Sequence, residues 1–236
     1  MIESLGWGAL AASSLVVGAV LALVRSWSPR VVGLVLGFGA GALIASVSFE
    51  LAEEGLRIGS AYAVAIGLAL GGLTYFAADR LVERWGGRKG GSSAGAPLAV
   101  GALLDGIPEQ AVLGIGIAAG GGVSVALMVA IFASNLPEAI GSASDMRTGG
   151  RSARSIVGLW AVVAAFCAAA TVGGAALSDV VSSEGQAFID GFAAGALLTM
   201  LIDSMVPEAK EKAKDLAGLA TVVGFALAAG LSLLGG

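Results

Sequence analysis

Eight apolar runs divide this chain, each about as long as the roughly 20-residue helix that a bilayer's hydrocarbon core requires. They lie at 5–24, 32–54, 60–79, 98–119, 122–145, 156–177, 186–208 and 216–234. The breaks between them are Gly, Ser or charge clusters such as "RSWSPR", "RWGGRKGGSSAGAP" and "RTGGRSAR". Only 13% of residues are charged, about half of what a soluble domain carries. The expectation is one transmembrane domain over 1–236, an all-α polytopic membrane bundle of eight helices. The opening "MIESLGWGALAASS" has no basic stretch and carries Glu3, so the first run is expected to be a retained helix, not a cleaved signal.

The basic residues orient the bundle. Arg25 and Arg30 lie between runs one and two, and Arg80, Arg84, Arg88 and Lys89 between three and four. Arg147, Arg151 and Arg154 lie between five and six, and Lys210, Lys212 and Lys214 between seven and eight. Of the 13 basic residues only Arg57 falls in another connection. The positive-inside rule places these alternate loops in the cytoplasm and both termini on the extracytoplasmic side.

Two self-similarities stand out. "GFGAGAL" at 37–43 matches "GFAAGAL" at 191–197, an offset of 154 that also brings Glu54 onto Glu208. "DGIPEQ" at 105–110 resembles "SNLPEA" at 134–139. In each pair the two helices run in opposite directions across the membrane, the mark of an inverted repeat. Gly33, Gly37 and Gly41 recur every four residues, as do Gly191 and Gly195, a spacing that suits close helix packing.

The acids within the runs carry the chemistry. Three of the five prolines precede a glutamate: Pro108-Glu109, Pro137-Glu138 and Pro207-Glu208. A proline in a helix frees the carbonyl four residues earlier, here Leu104, Ala133 and Asp203. Asp105 and Glu109 are i,i+4 on one face. Asn135 and Glu138 are i,i+3, with Ser134 one turn from Glu138. Glu50 faces the same way as Glu53 and Glu54, and Asp203 lies one turn before Pro207. No Lys or Arg occupies the centre of any run. Buried acids must be protonated, line water, or neutralise a bound cation.

These motifs resemble those of the ZIP divalent-metal permeases over all eight helices. That family carries a His-Asn-x-Pro-Glu-Gly type motif on its fourth helix and His-x-x-Pro-Glu on its fifth, with Pro-Glu motifs near the ends of helices two and seven. The corresponding stretches here read "DGIPEQ", "SNLPEA", "LAEEG" and "DSMVPEA". The resemblance implies a 3+2+3 inverted arrangement, with Asp105 and Glu109 as fourth-helix ligands and Glu138, Asn135 and Ser134 as fifth-helix ones. Asp203 would lie near the metal route, and Glu50 and Glu208 complete the candidate set. The chain has no histidine at all: Asp105, Ser134 and Asp203 stand where relatives have one. An all-oxygen site leans toward manganese, with zinc and ferrous iron still open.

The implied function is inward movement of a divalent cation by alternating access, across a plasma membrane. The alternative is a non-transporting relative that binds a cation for structure or sensing. The metal is substrate, and no prosthetic group is expected. Besides the metal and the bilayer, a homodimer is left open as a partner. An enzyme is not expected: Cys167, the single cysteine, has apolar neighbours, and no nucleophile–base pair is visible. The basic residues are scattered in short loops, so no nucleic-acid partner is expected.

Overall fold

A computed structural model describes residues 2–87, 95–118, 123–178 and 181–235. It is helical throughout its described elements, and eight long segments succeed one another along the chain. They are α1 (Ile2–Val24), α2 (Pro29–Ile58), α3 (Ala61–Gly87), α4 (Gly95–Ala118), α5 (Val125–Thr148), α6 (Ala153–Ser178), α7 (Ser183–Ala213) and α8 (Leu216–Gly235). Seven of them, all but α4, contain described stretches long and apolar enough to cross a membrane. Helix α4 spans 24 residues.

Local chemistry starts the two longest apolar spans in the same way. Ser28 accepts from the Val31 amide ahead of Pro29 at the first helical turn. Ser182 accepts from the Gly185 amide ahead of Ser183. Such caps satisfy amides that have no partner within the helix.

Both helices then widen. Val47–Ala52 in α2 and Leu201–Met205 in α7 are π-helical turns. The Glu53 amide donates to the Ser48 carbonyl, and the Val206 amide to the Leu201 carbonyl, each five residues back. Pro207 helps to account for the second, because it withdraws an amide from the regular ladder. No proline accompanies the first. The two turns begin 154 residues apart, as do the two serine caps.

Packing pairs α2 with α8 and α3 with α7, while α4 lies on α6 and α1 contacts both α5 and α6. A side chain on Gly41 would collide with the Thr221 carbonyl of α8, and one on Gly195 with the Leu68 carbonyl of α3. Backbone contact of this kind accommodates small residues alone. Gly41 and Gly195 are again 154 residues apart. Helices α2 and α5 also pack on each other, which brings the Pro-Glu region of α5 inside the bundle.

Candidate metal centre

Four helices enclose a small cavity. Glu109 enters it from α4, Ser134 and Glu138 from α5, and Ser204 and Glu208 from α7. Leu36 of α2 and Met200 and Met205 of α7 complete the lining. Three carboxylates and two hydroxyls therefore face one space.

The prolines help to shape it. Pro108 and Pro137 lie inside continuous helices. The carbonyl that Pro137 frees, that of Ala133, lies against Gly39 of α2, where a Cβ would sit 2.6 Å from the oxygen. Glycine thus lets α2 cover a carbonyl that its own helix cannot satisfy. The contact also sets the height of the next residue, Ser134.

Ser134 joins the two Pro-Glu helices. Its hydroxyl lies 3.1 Å from Glu109 Oε1 and 3.4 Å from Oε2, and also 3.0 Å from the Ile131 carbonyl. Glu109 is fully buried. The next residue, Gln110, points away from the cavity and accepts from the Thr171 hydroxyl of α6 at 2.6 Å. Neighbouring side chains on α4 are thus committed to different helices.

The structure does not bring every candidate to this cavity. Asn135 is buried outside the lining, and its amide nitrogen has no hydrogen-bond partner among the described groups. Asp203 is exposed on the π turn, and its neighbour Ser204 lines the cavity instead. Glu50 accepts from the Ser124 hydroxyl at 2.6 Å, at the start of α5. Ser124 lies 14 residues before Glu138, about 21 Å along the helix, so Glu50 belongs to the opposite end of the bundle. Glu208, at the near end, pairs with Lys212 at 2.5 Å. The backbone of Asp105 is in α4, four residues before Glu109, and its side chain lies outside the described residues. Among the described residues no three His, Cys, Asp or Glu side chains converge to ligating distance.

Sequence reasoning missed Ser204, Leu36 and the two methionines. Met200 precedes the π turn and Met205 ends it, and no periodicity visible in the sequence marks them as buried. The lining is therefore not oxygen alone.

No protein-family model matches the chain. In an alignment of 215 positions that covers 87% of the chain, it is 28% identical to a protein of Arabidopsis thaliana that bears the name "Putative zinc transporter". The chain spans about a third of that protein, 34% of its length.

Proposed function

We propose that this chain is a ZIP-like carrier that moves a divalent metal cation into the cytoplasm by alternating access. The observation that carries the reading is the cavity itself: Glu109, Glu138 and Glu208 face one space between α4, α5 and α7. Lys212 offsets the charge of Glu208, and a cation bound beside Glu109 and Glu138 would add to the interactions that stabilise carboxylates in a membrane. A hard, multiply charged cation suits that role, and carboxylates are its preferred ligands. The zinc-transporter name of the Arabidopsis relative supports the same class of cargo.

The mirrored features support an inverted repeat of 3+2+3 helices. Serine caps, π turns and backbone-contact glycines recur on α2 and α7 at one offset. Under the proposed topology the termini are extracytoplasmic and the two helices run in opposite directions, as rocking-type carriers require. The membrane is proposed to be the plasma membrane.

Glu109, Ser134 and Glu138 form the proposed principal site, and Asp105, one turn before Glu109 in the sequence, is proposed as a further ligand. Asn135 adjoins it, Glu208 and Asp203 belong to the α7 route, and Glu50 to the far entrance. Met200 and Met205 add a softer surface to the oxygen set, so zinc and ferrous iron are accommodated alongside manganese.

A non-transporting, cation-binding protein is the second reading. One observation favours it: no three ligating side chains converge among the described residues. Uptake of zinc, manganese and ferrous iron into proteoliposomes, measured singly and in competition, separates the two. Uptake that Glu138→Gln abolishes supports the carrier. Metal binding without uptake, under any imposed gradient, supports the alternative.

A further inference from the structure

A lysine lies across one end of the carboxylate cavity. Lys212 Nζ is 2.5 Å from Glu208 Oε1, one turn further along α7. The same residue is fixed against two other helices. Its Cβ packs on Gly33 of α2, where an added Cβ would come within 2.6 Å of it. Its ammonium lies beside Gly141 of α5, where an added Cβ would be 3.5 Å from Nζ and 3.8 Å from Glu208 Oε1.

The register of these contacts is consistent. Gly33 is one turn from Leu36, Gly141 one turn from Glu138, and Lys212 one turn from Glu208. Leu36, Glu138 and Glu208 all line the cavity. Lys212 thus bridges α2, α5 and α7 one helical turn beyond it, towards the basic loops.

We infer that Lys212 is a specificity-determining residue: a tethered cation that holds the Glu208 end of the cavity until a divalent ion displaces it. The inference rests on the reading that this cavity binds a divalent metal. An ammonium is a compact single charge with three donors. At equal distance a divalent ion is attracted twice as strongly to a carboxylate, so it can displace the ammonium. Sodium or potassium has no such advantage, and it competes against a cation held beside the site at high effective concentration. When the metal leaves past Glu208, the ammonium returns and the carboxylate is not left uncompensated.

An ordinary i,i+4 ion pair on a helix surface would have none of these consequences and would contribute little. The two roles separate in a binding experiment on the full chain in nanodiscs. Equilibrium binding of manganese is measured for wild type, Lys212→Met and Lys212→Arg, with sodium chloride or choline chloride at matched ionic strength. Lys212→Met keeps the aliphatic stem and removes the charge. Its manganese affinity is expected to rise roughly fivefold, about the upper end for a single solvent-accessible ion pair, and to become sensitive to sodium but not to choline. Lys212→Arg is expected to restore the wild-type pattern on both counts. Gly141→Leu supplies a second variant, because it fills the space beside the ammonium while retaining the lysine. It is expected to show the same sodium sensitivity.

Unchanged affinity and no sodium effect in Lys212→Met would overturn the inference, and so would an arginine variant that behaves like the methionine one. The readout is binding, not uptake. Tighter, sodium-sensitive binding by a protein that moves no metal would uphold Lys212 and overturn the carrier. Normal uptake with a silent Lys212→Met would do the reverse.

Discussion

The Ser134 hydroxyl of α5 donates to the Glu109 carboxylate of α4, 3.1 Å from Oε1. This bond ties two Pro-Glu helices together at the wall of a cavity that Glu138 also lines. A cation bound there feels both carboxylates, so their contributions are coupled. Glu109→Gln and Glu138→Gln are each expected to remove most metal binding, and the double variant to cost little more. Calorimetric titration of the three variants checks this. Independent, additive losses would mean two separate sites.

The contact between Gly39 and the Ala133 carbonyl is backbone on backbone, with no flexible side chain to yield. Gly39→Ala must therefore push α2 away from α5. The expected cost is about 1–3 kcal/mol, the range for overpacking a filled interior. Thermal unfolding in detergent reads that cost. Because Ser134 is the residue after Ala133, metal affinity should fall in the same variant. A stable Gly39→Ala protein with wild-type affinity would show that α2 and α5 separate freely.

The eight helices were legible because lipid imposes one length and one composition on every span. The pairing of "DGIPEQ" with "SNLPEA" was legible for a related reason: acids and prolines are costly in lipid, so their recurrence is informative. The π turns were not legible. A wide turn keeps the composition of the helix around it but changes which residues within it share a face, and here Ser204, not Asp203, lines the cavity. Nor could spacing along the chain separate Glu50 from Glu109. Glu50 is assigned to the far end by its bond to Ser124, 74 positions away. Lys212 read simply as loop charge, because nothing in "KEKAKD" indicates that α7 continues to Ala213.

The proposed orientation is testable with cysteines at exposed positions. The native Cys167 is fully buried and supplies a silent background. Ser183→Cys, just before the seventh span's apolar part, is expected to react with an impermeant thiol reagent in intact cells. Ser152→Cys, between α5 and α6, is expected to react only after permeabilisation. The reversed pattern would invert the proposed topology and with it the proposed direction of transport.

The turn from α7 to α8 is strained at one residue. Lys214 has φ +54° and ψ −128°, and it is the only non-glycine residue with positive φ among the described residues. Glycine adopts this conformation without a Cβ penalty. Lys214→Gly is expected to raise stability by about 1 kcal/mol, read as a higher unfolding temperature in detergent. Binding should be unaffected, since Lys214 is not part of the cavity lining. A loss of stability would mean that the lysine side chain contributes more at this turn than its backbone strain costs.

Ser134 offers the sharpest test of what the cavity recognises. Under the proposed ZIP-like reading it stands where a histidine is expected, and here it lines the cavity and hydrogen-bonds Glu109. Two roles are open to its hydroxyl: it can touch the metal, or it can only orient the carboxylate. Ser134→Cys separates them, because sulfur nearly matches the hydroxyl in shape while being a far softer ligand. If residue 134 touches the metal, the cysteine variant should shift competition from manganese toward zinc, roughly tenfold or more for an added thiolate. Zinc binding should also become more sensitive to acid, because the thiol must lose its proton to ligate. Ser134→Ala then serves as the reference, losing affinity for both metals without changing their ratio. Competition binding of zinc and manganese to the three proteins in the same nanodiscs is the measurement. If the cysteine and alanine variants show the same zinc-to-manganese ratio, Ser134 acts only through Glu109, and metal choice is set by the carboxylates and the two methionines.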